Sequence, residues 1–158
     1  MSTVVNMIEL RAGGVGDLAL VESIMGEAFD PRFGEAWTRG QCLGILAMPG
    51  VWLTIASLDG KPAGFALSRG VADEAELLLL ATRPALRRRG VAAALLRAMI
   101  AQAQASGAVR VHLEVREGND AVKLYTASGF SKVGERRNYY RGVSGQTFHA
   151  LTYHRDIA

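Results

Sequence analysis

The chain has 158 residues, a net charge of +3 at pH 7, 49% hydrophobic and 21% charged residues. Those proportions are near the globular average and exclude a disordered, collagen-like or coiled-coil chain. The single cysteine, Cys42, excludes an internal disulfide framework and any cysteine-based zinc site.

No apolar run reaches 18 residues, and the first 30 residues lack a basic start, an apolar core and a small-residue cleavage site. The expectation is a soluble, cytoplasmic protein with neither signal peptide nor membrane span. A chain of this length can bury roughly two thirds of its unfolded surface in one core, so a single domain over residues 1–158 is expected. The 15 arginines against 3 lysines accompany 24 alanines, which reads as coding bias as much as a basic surface. Only a local cluster of charge is therefore informative.

Residues 7–11 alternate as a short strand. Asp17 stands where it can cap a helix over residues 18–29, with Leu18, Val21, Ile24, Met25 and Ala28 on one face. Phe29-Asp30-Pro31-Arg32-Phe33-Gly34 breaks that helix, and a second one over residues 37–47 stops at Pro49-Gly50. Residues 51–57 form a strand, Asp59-Gly60 a hairpin turn and residues 63–69 the partner strand. The next strand, residues 74–82, is apolar on both faces from Leu77 and should be central. Arg83-Pro84 ends it.

An alanine-rich helix over residues 90–106 follows, stopped by Gly107. Residues 109–115 alternate as a strand. Asn119-Asp120 can cap a short helix through Ser128, closed by Gly129. Residues 130–137 and 147–156 are the last two strands. This order predicts an α/β (α+β) fold: a single mixed β-sheet of about seven strands with four helices on both faces.

Arg87-Arg88-Arg89-Gly90-Val91-Ala92 follows the central strand and opens the long helix. A helix start leaves backbone N–H groups unpaired and carries partial positive charge, so it can hold an anion. Gly90 and Ala92 let phosphate oxygens come close, and a diphosphate is the natural ligand. The competing reading is a solvated arginine turn; the strand before and the helix after favour the anion. The segment is not Gly-x-x-x-x-Gly-Lys-Ser/Thr, so a triphosphate site is not expected.

On residues 109–115, Val109, Val111, Leu113 and Val115 face one way and Arg110, His112 and Glu114 the other. Glu114 is either a wet strand face, which periodicity alone favours, or a general base. Tyr125 shares a helical stripe with Ala121, Leu124 and Ser128. It is either core packing, again favoured by periodicity, or a general acid with a reference pKa of about 10. Glu76 is a reserve candidate for the base. His112, His149 and His154 have no metal-ligand spacing, Cys42 reads as core, and Trp37, Tyr139 and Tyr140 read as pocket lining or local packing.

A strand, then Arg-x-x-Gly-x-Ala, then an alanine-rich helix resembles motif A of the GNAT superfamily of N-acetyltransferases, whose element order is the same. Leu113-Glu114-Val115-Arg116, Asn119, Leu124-Tyr125, Gly129-Phe130 and Arg136-Arg137-Asn138-Tyr139-Tyr140 resemble the RimI-type branch, the bacterial ribosomal-protein-alanine N-acetyltransferases. The resemblance spans residues 9–155 and weakens before residue 51.

It implies acetyl-CoA as co-substrate and no metal. By the same resemblance, backbone groups of Leu80, Ala81 and Thr82 hydrogen-bond the pantetheine arm. Arg87, Arg88, Arg89, Gly90, Val91, Ala92 and Ala93 hold the pyrophosphate, Asn119 touches the cofactor arm, Glu114 is the base and Tyr125 the acid.

The sequence departs from the family pattern in places. Asn119 and Tyr125 are six positions apart where the family has seven. Arg87 stands where Gln is common and Thr82 where Val is common. Ala36-Trp37-Thr38 stands for Pro-Trp-Ser.

The implied acceptor is a protein N-terminus, an alanine on a small-subunit ribosomal protein. An α-amino group with a pKa of about 7.7–8.0 is already roughly 10–20% neutral at pH 7, so a modest base suffices. The alternatives are a small amine or lysine acceptor, or a non-catalytic CoA-binding protein. No nucleic-acid or membrane partner is expected, and the protein should be a monomer or weak homodimer. The first loop and the 138–147 hairpin should shape the acceptor site.

Overall fold

Seven strands form one sheet in the order β1-β2-β3-β4-β5-β7-β6. They are β1 (Ile8–Gly13), β2 (Val51–Leu58), β3 (Lys61–Val71), β4 (Glu74–Thr82), β5 (Arg110–Arg116), β6 (Ser131–Arg141) and β7 (Thr147–Asp156). The helices are α1 (Leu18–Ala28), α2 (Arg39–Leu46), α3 (Val91–Ala105) and α4 (Ala121–Ala127). This computed structural model describes residues 7–158, so the first six residues of the expected domain lie outside it. Every neighbouring pair of strands is antiparallel except β4 and β5. That is the mixed sheet and four-helix count read from the sequence.

The helices cover both faces. On one, Leu18, Val21, Ile24 and Met25 of α1 and Cys42 of α2 pack on Leu53, Ile55, Phe65, Leu67, Leu79 and Ala81. On the other, Val91, Leu95, Leu96 and Met99 of α3 and Tyr125 of α4 pack on Ala75, Leu77, Val111, Leu113 and Val115. Ala75 and Leu77 thus face one layer, and Leu79 and Ala81 the other. A bulge causes the switch: Leu67 pairs with Leu79 but Ser68 with Leu77, so Leu78 is the extra residue. Without it a two-residue period would put all four on one face.

Several boundaries differ from expectation, each for a local reason. The second helix starts after Trp37, because Thr38 and Gln41 form a reciprocal capping box. Asp17 does not cap α1; its carboxylate accepts from the Gly14 N–H at 3.0 Å and pairs with Arg11 at 2.7 Å, closing the turn before the helix. Val109 is exposed and lies outside β5, while Val111, Leu113 and Val115 are buried. The sixth strand runs four residues past the expected end at Arg137, through a bulge between Arg136 and Tyr140. No helix among the described residues is long and apolar enough to cross a membrane.

Candidate active site

The parallel pair β4 and β5 forms only a short ladder, from Glu74 opposite Arg110 to Leu77 opposite Leu113. At the Leu78 bulge the two strands part. β4 runs on to Thr82 while paired with β3 on its other side, and β5 runs on to Arg116 while paired with β7. The edge of residues 78–82 that faces β5 is left without a strand partner, so a fork opens in the middle of the sheet. Leu80, Ala81 and Thr82 form one arm, and the Thr82 hydroxyl oxygen is buried with no hydrogen-bond partner.

The N-terminus of α3 lies just beyond that arm. Gly90 precedes the helix at φ +86°, and Arg88 also has a positive φ, +63°. Ala94 donates the first helical hydrogen bond, to the Gly90 carbonyl at 3.0 Å, so the N–H groups of Val91, Ala92 and Ala93 have no partner within the helix. A Cβ on Gly90 would meet only the Ile8 side chain, at 3.7 Å, so the approach is open.

Arg88 and Arg89 are exposed. Arg87 behaves differently from the expected anion ligand: its guanidinium donates to the Ala28 carbonyl at 2.8 Å and ties the turn to the end of α1. The unpaired backbone, the orphaned Thr82 hydroxyl and the two free arginines suit the pantetheine and pyrophosphate of a coenzyme A thioester.

The other side of the fork gathers ionisable groups from four elements. Glu114 lies on β5 with its carboxylate 2.7 Å from Nε of Arg136 on β6. Tyr125 on α4 is 5% exposed and sits edge-on to Phe130 at 6.0 Å. Burial, reinforced by Tyr140 and Glu35, pushes its hydroxyl pKa well above the ordinary 10. Burial does the same to Tyr140, with Glu35 and Glu114 adding to the shift. Tyr140 is thus close enough to feel the charges of Glu35 and Glu114, and Tyr125 that of Glu35, although these groups come from separate segments.

Glu35 has no counterpart in the sequence reading. It sits on the loop between α1 and α2, accepting from Nε of Arg116 at 2.9 Å and from Nδ2 of Asn119 at 2.8 Å. Arg116 also donates to the Glu117 carbonyl and lies over the Phe33 ring, 3.7 Å from its centre. Asn119 is engaged at both ends, because its Oδ1 accepts from the N–H of Ala121, the first residue of α4, at 2.8 Å. The resemblance put Asn119 on the cofactor arm; here its side chain holds Glu35 and meets the start of α4. Only the long sequence separation hid Glu35, since Arg116 and Asn119 were both in view.

The first loop and the β6–β7 hairpin meet. A Cβ on Gly34, at φ +68°, would strike the Arg141 carbonyl, and one on Gly142 would strike that of Arg32. The Val143 N–H donates to the Pro31 carbonyl at 3.2 Å.

The remaining candidates have structural partners. Cys42 is fully buried, with its thiol pKa pushed up by burial. The Glu76 carboxylate lies 3.6 Å from His112 and 2.8 Å from Arg69, and these hold it below the usual carboxylate range. His149 Nδ1 accepts from the Asn138 N–H at 3.0 Å. Trp37 lines a shallow groove along α2 with Gly40, Gly44, Ile45 and Met48. Among the described residues no group of three or more His, Cys, Asp and Glu could hold a metal ion.

Known proteins share this architecture and sequence. The chain is 37% identical over 140 residues to the ribosomal protein bS18-alanine N-acetyltransferase of Haemophilus ducreyi, across 84% of this chain and 96% of that protein. It is 39% identical over 89 residues to the bS18-alanine N-acetyltransferase of Escherichia coli, across 56% of this chain; the matched segment spans 60% of that relative's length. The crystal structure of the Escherichia coli ribosomal-protein-alanine N-acetyltransferase superposes with a TM-score of 0.85 at 28% identity, covering 96% of this chain and 95% of that one. Residues 19–130 match the acetyltransferase (GNAT) family, and with that match over most of its length the chain belongs to this family.

Proposed function

We propose that the protein is a cytoplasmic, acetyl-CoA-dependent N-acetyltransferase, with residues 1–158 forming a single acetyltransferase domain, that acetylates a protein N-terminus. Its acceptor is the α-amine of an alanine on a small-subunit ribosomal protein. The observation that carries this reading is the fork between β4 and β5, with an unpaired strand edge and an open helix start on one side and Glu114, Tyr125 and Tyr140 on the other. The names of the Haemophilus ducreyi and Escherichia coli relatives favour the alanine acceptor over a small amine.

Bound acetyl-CoA supplies an acetyl thioester. The N–H groups of Val91, Ala92 and Ala93, with Arg88 and Arg89, hold the pyrophosphate at the helix start. Backbone groups of Leu80, Ala81 and Thr82 align the arm along β4, and an N–H there polarises the thioester carbonyl. Arg87 and Asn119 act indirectly, holding the turn and the Glu35 loop. Glu114 takes the proton from the acceptor amine, directly or through one water. Tyr125 meets the leaving sulfur.

Burial keeps the Tyr125 hydroxyl protonated throughout the neutral range. A thiol's ordinary pKa is about 8.5, below that of the phenol, so Tyr125 first stabilises the departing sulfur as a hydrogen-bond donor. As the amine nitrogen bonds to the acetyl carbon the C–S bond breaks, the sulfur takes the Tyr125 proton, and the proton that Glu114 removed from the amine returns to the phenol through water. The two faces of the fork bring amine and thioester together, and much of the acceleration comes from that positioning.

Glu114→Gln and Tyr125→Phe test this assignment. Each should lower kcat by roughly 10²-fold or more while coenzyme A binds within twofold of the parent. Full activity in either variant would remove that residue from the chemistry.

A further inference from the structure

Two carboxylates face the fork, and their arginine partners hold them in different ways. Glu35 is locked: its side chain and that of Arg116 are each 10% exposed, and Asn119 and Phe33 brace the pair. Among the described residues Glu114 is held by Nε of Arg136 alone, at 2.7 Å, and the Arg136 side chain is 61% exposed.

The path between them runs across β7. Glu114 pairs with Thr152, and Arg136 on the outermost strand pairs with Ala150. The Arg136 side chain therefore runs diagonally across β7, from the Ala150 position to the Thr152 position, to meet Glu114. Directly after Arg136 the strand bulges, with residues 137–139 set against His149. That bulge brings the exposed Tyr139 ring to 5.5 Å from the guanidinium. One carboxylate oxygen and one exposed ring are what retain this cation.

We infer that Arg136 is a displaceable gate on Glu114. In the free protein its guanidinium occupies the place beside the carboxylate that the acceptor's terminal ammonium takes on binding. The inference rests on Glu114 being the base. An α-amine is mostly protonated at pH 7, so the acceptor arrives as a cation. Exchanging one cation for another means the half-buried carboxylate is never left without a counter-charge. A pair this exposed is weak, so the acceptor opens it easily and the displaced guanidinium stays near Tyr139. A blocked, neutral N-terminus brings no cation and leaves the gate shut.

The test is steady-state acetylation of a peptide with a free N-terminal alanine by the parent, R136Q and R136K. R136Q should lower the peptide KM by roughly two- to fivefold, the equilibrium factor of an exposed ion pair, and raise kcat/KM to match. The KM for acetyl-CoA should stay within error. R136K keeps a competing cation, and its peptide KM should stay near the parent's. Ethylguanidinium added to R136Q should raise the peptide KM again, competitively with the peptide. A higher peptide KM in R136Q would make Arg136 an acceptor ligand, a fall in kcat would make it a positioning residue for Glu114, and an unchanged KM would leave it a surface contact; each overturns the gate. Full activity of Glu114→Gln would instead overturn the base assignment, so the two failures are distinguishable.

Discussion

The Arg116 guanidinium and the Glu35 carboxylate meet at 2.9 Å with each side chain only 10% exposed, joining residues 81 positions apart. This contact fastens the loop after α1 to the end of β5, two residues from Glu114. Removing one partner of a buried pair strands the other charge. Glu35→Ala should therefore destabilise the fold by about 3–5 kcal/mol, lowering Tm by roughly 10 °C for a chain of this size. Glu35→Gln keeps an acceptor for Asn119 and should lose less. Thermal unfolding followed by circular dichroism reads both; equal Tm values for parent and Glu35→Ala would contradict the account.

Gly142 tests the seam between the first loop and the β6–β7 hairpin. Its φ is not positive, so a substitution there probes space rather than backbone strain. A methyl group would collide with the Arg32 carbonyl. Gly142→Ala should cost about 1–3 kcal/mol and raise the peptide KM. Acetyl-CoA affinity, which the proposed function places at α3 and β4, should remain within twofold.

Ala92→Asp separates folding from cofactor binding by sign. An added carboxylate in the first turn of α3 favours the helix dipole, so Tm should hold or rise slightly. The same charge repels a diphosphate at that place. Coenzyme A affinity by calorimetry should fall tenfold or more. Unchanged affinity would mean that the pyrophosphate lies elsewhere.

His112 gives a pH signature. Its imidazole faces Glu76 at 3.6 Å and Glu74 at 3.9 Å, and Arg69 meets the same Glu76 oxygen at 2.8 Å. The nearby Glu76 carboxylate outweighs burial and raises the His112 pKa above 6.5. A raised folded pKa means that the folded state binds the proton more tightly than the unfolded chain. That stability is fully present below 6.5 and is lost as pH rises through the folded value. The Glu76 pKa is lowered, so its share is present above about 4.5 and is lost on acidification. The Tm gap between the parent and His112→Gln should be widest near pH 5.5 and narrow by pH 8.5. A gap that widens with pH would contradict the assignment.

Elements with a strong local signal were legible in the sequence. The apolar run of β4, the Asp59-Gly60 turn and the alanine-rich α3 each carry their own local signal, and the strand–Arg-x-x-Gly-x-Ala–helix sequence pointed to the open helix start at Gly90. The Leu78 bulge was not legible, because a run of leucines looks the same with or without an extra residue. It nonetheless decides which leucines face α1 and where β4 leaves β5. Glu35 was hidden for a different reason: its partners lie on β5 and in the loop before α4, and no short-range pattern records a contact across the fork. Periodicity alone set Glu114 and Tyr125 down as strand face and core. Both descriptions hold geometrically, since Tyr125 is buried and Glu114 pairs with a surface arginine, and periodicity carries no chemistry that would lift them above that.

The central claim is transfer of an acetyl group to an N-terminal alanine. Its most direct test is acetyl-CoA-dependent mass gain on a panel of ribosomal N-terminal peptides. The panel holds peptides beginning with Ala, Ser and Thr, the same peptides with blocked α-amines, and lysine-only controls. The account predicts one added acetyl group on the free alanine peptide and none on its blocked form or on the lysine controls. Acetylation of the blocked or lysine-only peptides, or no turnover on any peptide while coenzyme A still binds, would contradict it.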